Sequence, residues 1–268
     1  DKDGYLFTNT YLGDYPMFLP GGKEQIAGEY QPGWMLLSYG KKVSVSSSLE
    51  GYPAENIVDE DARTAWVAQS NRDMEWAQVD LQRLSSIHAI QVNFDEYGAN
   101  QKGAVSGVYQ SYLIYASVNG EDWSLVVDYG TKKTDTPHDY IEFEEPFKAR
   151  YIKLQNKEYM VSENFSVRDL RIFGKGQGST PRAVNDFTVE RDEADPCKAR
   201  LCWEAVPDAQ GYIVRYGIAG DKLYNNFQVM GENTLEIGSL NKGVAYYFTI
   251  DAYNENGITR TSRIKVCR

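Results

Sequence analysis

Two carboxylates and a hydroxyl precede a tryptophan in the segment 54–66 of this chain. Asp59, Asp61 and Thr64 lie within six positions, and Trp66 follows two positions later. Carboxylate, hydroxyl and carbonyl oxygens are the ligands that a hard cation such as Ca²⁺ takes in proteins. The segment is therefore compatible with a cation site that precedes a buried strand. The alternative is a solvated turn, since Asp side chains also bond to backbone groups two residues further on.

Groups that could catalyse hydrolysis are not assembled in the sequence. The histidines His88 and His138 belong to no nucleophile or zinc motif. Glycoside hydrolysis needs two carboxylates that face each other across a cleft. Glu142 and Glu144 instead alternate with apolar residues, so we interpret them as solvated carboxylates on the wet face of a strand. No catalytic site is predicted within this chain.

Composition narrows the classes of partner. The chain has 268 residues, of which 42% are hydrophobic and 13% aromatic, and its formal net charge is -10. A negative charge of this size argues against nucleic acid or an anionic membrane as a partner, because both need concentrated Lys and Arg. A neutral sugar polymer is compatible with this negative charge.

The sequence contains no segment that predicts a membrane span or a signal peptide. No run approaches the ~18 apolar residues of a membrane span, and no signal-peptide core is present. Because the chain opens at Asp1, we expect a mature protein or an excised fragment.

The pattern of apolar residues predicts an all-β protein. Apolar and polar residues alternate with a period of two in the segments 43–47, 78–81, 87–94, 112–117 and 151–154. Short strands with turn signals at this spacing are typical of a sandwich or barrel. Gly- and Pro-rich breaks at 20–22 and 174–181 divide the chain. We predict an extended segment over 1–33, a first domain over 34–175 and a second over 180–268.

Six motifs of the first domain occur in an order that resembles a known family. They lie at 38–48, 59–66, 76–81 (WAQVDL), 117–123 (SVNGEDW), 149–154 and 167–174. In this order they resemble the discoidin, or coagulation factor 5/8 type C, family, which includes many carbohydrate-binding modules of secreted glycosidases. The resemblance implies a jelly-roll β-sandwich.

The resemblance also implies a place for a cation. Carbohydrate-binding members of the family often hold one structural Ca²⁺, and the implied ligands here are Asp61, Thr64, nearby carbonyls and Asp169 of the closing strand. The family usually has Glu at the position of Asp169 and Gly at the position of Glu60. Asp169 reaches less far, and a left-handed turn is costlier at Glu60 than at Gly. A solvated turn without an ion therefore stays an alternative.

The family binds its ligands with loops at one end of the sandwich. Sugar recognition requires aromatic faces for C–H surfaces and amides, carboxylates or Arg for hydroxyls. The residues that fit by type and by loop placement are Tyr52, Arg72, Tyr97, Asn100, Tyr109 and Tyr159. Docking of these loops on a neighbouring domain is the alternative. The tryptophans Trp66, Trp76 and Trp123 are predicted to fill the core instead.

The second domain resembles a fibronectin type III β-sandwich. Segment 201–216 is similar to its strands B and C, and segment 246–257 to its F strand, with Tyr246 at the corner-tyrosine position. In that topology Cys197 and Cys267 lie at the same pole. A bridge between them would close a loop of about 70 residues and stabilise the domain by roughly 3–5 kcal/mol. Three free thiols are the alternative, and Cys202 is expected to face outward unpaired.

Segment 1–21 resembles the last blade strand and exit segment of family 43 glycoside hydrolases, which are five-bladed β-propellers acting on arabinose- and xylose-containing polysaccharides.

Taken together, the resemblances imply that the chain is an ancillary part of a secreted polysaccharide-degrading enzyme. This part would bind carbohydrate without catalysis, and the catalytic domain would lie upstream of Asp1. The expected partner is a plant-type or other polysaccharide, or that catalytic domain. We expect a monomer in the periplasm, at the cell surface or outside the cell. A structural spacer without a glycan site and a cell-surface adhesion module are the alternatives.

Overall fold

The computed structural model describes residues 16–17, 25–26, 33–99 and 107–268. It contains two compact units, one comprising Trp34–Gln177 and the other containing Gly178–Arg268. Within the predicted N-terminal segment, β1 (Pro16–Met17) pairs antiparallel with β2 (Gln25–Ile26), and the rest of residues 1–32 lies outside the described residues. Among the described residues, no helix has the length and apolar character that a membrane span requires.

The described residues of the first unit form eight strands and a short 3-10 helix, Ala54–Val58. The strands are β3 (Met35–Leu36), β4 (Lys42–Val45), β5 (Trp66–Val67), β6 (Trp76–Phe94), β7 (Gln110–Ser117), β8 (Ser124–Tyr129), β9 (His138–Tyr159) and β10 (Ser166–Lys175). Their order in the sheet is β3-β10-β6-β9-β7-β8, with β4 also paired to β6 and β5 to β10. All pairs are antiparallel. The predicted all-β fold is confirmed.

The long strands β6 and β9 fold the sheet over on itself. Their register shifts between Asp80 and Ser85, where Gln82 has a φ of 66°. Such bulges bend a strand and increase its twist. Asp80 anchors the bend, because its Oδ1 accepts a hydrogen bond from the Gln82 N–H at 2.7 Å. Arg150 donates two further hydrogen bonds of 2.8 and 2.9 Å to the same carboxylate.

The core of the first unit lies between the two halves of the folded sheet. Trp66 is fully buried and meets Phe165 edge to face, with ring centroids 5.8 Å apart. The prediction that Trp76 and Trp123 also fill the core was wrong. Ala77 and Val79 are the buried positions of β6, so Trp76 has the parity of the outer face and is only half-buried. Trp123 lies in the turn before β8 and is also half-buried.

The second unit places two antiparallel sheets around its own core. Its strands are β11 (Phe187–Arg191), β12 (Ala199–Trp203), β13 (Gly211–Gly217), β14 (Asn225–Met230), β15 (Thr234–Ile237), β16 (Tyr246–Asn254), β17 (Gly257–Thr259) and β18 (Lys265–Cys267). One sheet has the order β11-β12-β15, and the other has the order β14-β13-β16-β17 with β18 on β16. Trp203 and Phe248 belong to the core between them. The hydroxyl of Tyr246 accepts a hydrogen bond from the Asn241 N–H at 3.2 Å.

The predicted bridge between Cys197 and Cys267 is not formed, because all three cysteines are free thiols. The side chain of Cys267 is buried in the core of the second unit. Cys197 instead lies in the turn before β12, where its N–H donates to the Asp195 carboxylate at 3.1 Å. Cys202 is half-buried beside the core residue Trp203, in keeping with its opposite parity on β12.

Candidate functional site

The loops at one end of the first unit's sheet lie together. We call this end the loop pole, and its described residues are 46–53, 68–75, 95–99, 107–109, 130–137 and 160–165. Backbone hydrogen bonds join the loops: the Ala68 N–H donates to the Phe165 carbonyl at 2.8 Å and the Phe165 N–H to the Ser70 carbonyl at 2.9 Å. The Met160 N–H donates to the Tyr109 carbonyl at 3.0 Å. The loop pole is therefore a connected surface.

The carboxylate of Glu75 ties two of these loops together. It accepts hydrogen bonds from the hydroxyls of Ser46, Ser47 (2.8 Å) and Ser70 (2.7 Å). Burial raises the pKa of Glu75, but the three hydroxyls and the nearby charge of Arg72 outweigh it, so the pKa lies below its ordinary value. A carboxylate used in this way holds the loops in place and is not free for a ligand.

Three amide side chains connect the loops further. Asn71 Nδ2 donates to the Ser162 carbonyl, Asn156 Nδ2 to the Asn71 carbonyl and Asn164 Nδ2 to the Ala68 carbonyl, each at 2.8 Å. These residues and Glu75 were not predicted from the sequence. The serine run at 46–48 and the asparagines of the later loops were the available signals, but their partners are distant in the chain.

The structure brings two predicted ligand residues into contact at the loop pole. The rings of Tyr52 and Tyr97 meet edge to face, with centroids 5.0 Å apart and planes at 70°. Both side chains are half-buried, and the Ser48 hydroxyl donates a hydrogen bond of 2.7 Å to the Tyr52 carbonyl. An edge-to-face pair leaves a ring face uncovered by its partner. Arg72 is exposed on the neighbouring loop.

The other predicted ligand residues have different environments. Tyr159 is only 2% exposed and its hydroxyl donates to the Asp95 carbonyl, so its assignment as a ligand contact was wrong. It packs in the core against Phe165, with ring centroids 5.3 Å apart. Tyr109 is half-buried beneath Lys133, whose Nζ donates to the tyrosine hydroxyl at 2.9 Å. Asn100 lies outside the described residues.

Oxygen atoms converge in the segment predicted to hold a cation, but the carboxylate beside Thr64 is not the one that the family resemblance implied. Thr64 Oγ1 lies 2.8 Å from Asp59 Oδ2 and 3.0 Å from the carbonyl oxygen of Asp61. The side chain of Asp61 instead accepts hydrogen bonds of 3.0 Å from Arg63, which lowers its pKa. The carboxylate next to Thr64 is thus that of Asp59, and Asp61 contributes its backbone oxygen.

The residue between these two aspartates adopts the left-handed conformation that the family usually assigns to glycine. Glu60 has a φ of 62°, and its carboxylate forms a double ion pair with Arg171 at 2.7 and 2.9 Å. Asp169 is 4% exposed and accepts a hydrogen bond from Asn93 Nδ2 at 2.8 Å. Within the described part of the chain, no three His, Cys, Asp or Glu side chains are grouped to hold a metal ion. A cation here would therefore depend on hydroxyl and carbonyl oxygens together with Asp59.

Comparison with known proteins identifies the type of the first unit. Residues 42–169 match the family model of the F5/8 type C domain. Lactadherin of Rattus norvegicus is 33% identical over 110 residues, which are 38% of this chain and 25% of lactadherin. Lactadherin of Mus musculus is 32% identical over 110 residues, or 38% of this chain and 23% of that protein. The chain thus matches only about a quarter of the length of these curated relatives.

Solved structures of carbohydrate-binding modules are also similar. Chitosan-binding module 1 of a chitosanase/glucanase from Paenibacillus sp. IK-5 has a TM-score of 0.44 and 20% identity over 52% of this chain and 99% of that module. The family 32 module of NanJ from C. perfringens, solved with galactose, has a TM-score of 0.43 and 17% identity over 52% of this chain and 98% of that module.

Proposed function

Since residues 42–169 form an F5/8 type C domain, we propose that the chain binds carbohydrate at the loop pole of this domain without catalysing a reaction. The observation that carries the proposal is the contact between Tyr52 and Tyr97. An exposed aromatic face excludes water from the C–H surface of a pyranose or furanose ring. The exposed guanidinium of Arg72 would donate hydrogen bonds to sugar hydroxyls.

The loops that carry Tyr52 and Arg72 are held before a ligand arrives. Glu75 joins the serines of two loops, and Asn71 and Asn164 bind the carbonyls of neighbouring segments. Loops that are already ordered lose little conformational entropy on binding, which improves affinity. A single small site of this kind is nonetheless weak, with a dissociation constant of about millimolar to micromolar.

The wider context of this activity is also a proposal. We place the chain in a secreted polysaccharide-degrading glycoside hydrolase, in the periplasm, at the cell surface or outside the cell, where it would raise the local concentration of substrate. The second unit would be a fibronectin type III domain, a spacer within that protein. Its two sheets and the hydrogen bond from the Asn241 N–H to the Tyr246 hydroxyl support that assignment.

A structural Ca²⁺ is proposed for the segment before Trp66. The oxygens of Asp59, Thr64 and the Asp61 carbonyl are hard ligands, which suit Ca²⁺ in chemistry. Asp169 on the adjoining strand β10 stays a further candidate ligand. The ion would hold the segment 59–64 in place and would take no part in sugar chemistry.

The test is binding of the 268-residue chain to an array of arabinoxylan, pectin and other polysaccharides. We expect a glycan to be retained, and Tyr97→Ala to weaken its binding about tenfold because a stacking face is lost. Tyr140→Ala is the matched control, since Tyr140 is a 42% exposed tyrosine on β9. The absence of any retained glycan would favour the structural spacer, and selective retention of a cell-surface protein would favour adhesion. If Tyr97→Ala and Tyr140→Ala bind the glycan equally well, the glycan site does not lie at the loop pole.

A further inference from the structure

The outer face of strands β7 and β9 carries a lysine between two aromatic rings. Lys153 on β9 lies opposite Tyr115 on β7, and both side chains point away from the core, because Ile152 and Leu154 are the buried positions of β9. The Nζ of Lys153 lies 4.1 Å from the ring centroid of Trp123 and 5.3 Å from that of Tyr115. We call Tyr115, Trp123, Leu125, Tyr151 and Lys153 the Lys153 face.

The rings of the Lys153 face are held in position. Trp123 meets Tyr151 edge to face, with centroids 6.5 Å apart, and Arg150 covers the Tyr151 ring at 4.8 Å. A Cβ at Gly120 would lie 3.3 Å from the Tyr151 ring, so the hairpin backbone packs closely on it. Leu125 pairs with Tyr115 in the sheet and is 47% exposed. The result is an ordered apolar surface, formed by strand residues together with Trp123 in the turn before β8.

Among the residues that the structure describes, no carboxylate forms an ion pair with Lys153. Its neighbour Arg150 is paired with Asp80 at 2.8 Å, and Lys157 with Asp73 at 2.5 Å. No salt bridge among the described residues involves Lys153, whose contacts are the two aromatic rings. Partial burial lowers the pKa of Lys153, and no carboxylate opposes this effect. A partly desolvated ammonium group with aromatic walls favours an anionic group that completes its hydrogen bonds.

We propose that the Lys153 face binds a uronic acid residue of an acidic polysaccharide. The rings of Trp123 and Tyr115 would cover the C–H surface of the sugar, and the ammonium group of Lys153 would donate to its carboxylate. A neutral sugar would leave the ammonium group without this partner. A single ammonium group between two rings suits one carboxylate on one sugar ring, whereas binding of nucleic acid needs concentrated Lys and Arg. Its residues lie on β7, β8 and β9 and in the turn before β8, outside the segments of the loop pole, so the two sites are separate.

The proposal is tested with the full chain, polygalacturonate and its methyl-esterified form, which keeps the sugar but removes the charge. The wild-type chain is expected to bind polygalacturonate about tenfold more tightly than the ester, the difference that a charge-assisted hydrogen bond supplies. Lys153→Met, which keeps most of the apolar stem, should abolish this preference, and Lys153→Arg should keep it. Unchanged melting temperatures would show that the variants fold.

Several results would overturn the proposal. It fails if the wild-type chain retains neither polymer, if both polymers bind equally, or if Lys153→Met keeps the preference for the acid. Tyr97→Ala serves as the control that separates the two sites, since it removes a loop-pole ring and leaves the Lys153 face intact. Loss of the preference in that variant would assign acid binding to the loop pole and contradict the proposal.

Discussion

The carboxylate of Glu75 accepts a hydrogen bond of 2.8 Å from the hydroxyl of Ser47, which lies 28 positions earlier in the chain. Glu75 immediately precedes β6, whereas Ser47 follows β4, so this bond joins two loops of the proposed sugar site. Ser70 donates to the other oxygen of the same carboxylate. The negative charge of Glu75 is therefore part of the framework that positions Tyr52 and Arg72.

Replacing Glu75 by Gln is expected to destabilise the first unit by roughly 1–3 kcal/mol at neutral pH, because charge-assisted hydrogen bonds are lost. The folded-state pKa of Glu75 is lowered from 4.5, so its contribution is fully present above that value and is lost as the pH falls through the folded pKa. The difference in melting temperature between wild type and Glu75→Gln should therefore shrink below about pH 4. A difference that stayed constant down to pH 2 would argue against this role.

Removal of Ca²⁺ with a chelator is expected to lower the melting temperature of the first unit, because the oxygens of Asp59, Thr64 and Asp61 would lose the ion that they share. Asp59→Asn should remove the response to Ca²⁺. Asp61→Asn, which alters a side chain that only binds Arg63, should keep it. Calorimetry with and without Ca²⁺ measures this, and an unchanged melting temperature in wild type would contradict the calcium proposal.

Gly174→Ala is expected to destabilise the first unit by roughly 3 kcal/mol or more, since the clash cannot be relieved without moving the backbone. A Cβ at Gly174 would lie 2.0 Å from the carbonyl oxygen of Ser86 on the paired strand β6. Gly40→Ala is the control: its φ is +62° with no atom within 4 Å, so only about 1 kcal/mol is expected. Urea unfolding of both variants compares them, and equal losses would contradict the clash.

The three cysteines are expected to react with a thiol reagent in denaturant, giving three thiols per chain. In the folded protein Cys267 should react most slowly, because its side chain is only 5% exposed. Reaction of only one thiol per chain in denaturant would contradict this and would support the predicted bridge between Cys197 and Cys267.

The strands and their inward positions were predictable because alternation with a period of two reflects a property of the backbone itself. The buried positions Val79 and Ile152 follow from that pattern. The period tells which residues share a face but not how completely a face is covered. Trp76 and Trp123 were wrongly assigned to the core because they are large and apolar. Trp76 has the parity of the outer face, and Trp123 lies in a turn outside the alternation.

The sequence by itself determined the all-β class and the order of the F5/8 type C motifs, since both depend on local residue order. Only the tertiary structure decided the contacts made by individual side chains. It buried Tyr159, placed Asp59 beside Thr64 instead of Asp61, and set Lys153 between Tyr115 and Trp123. The physical reason is that these hydrogen bonds and ring contacts join side chains that are close in space but often tens of residues apart in the chain. A local sequence pattern does not indicate such contacts.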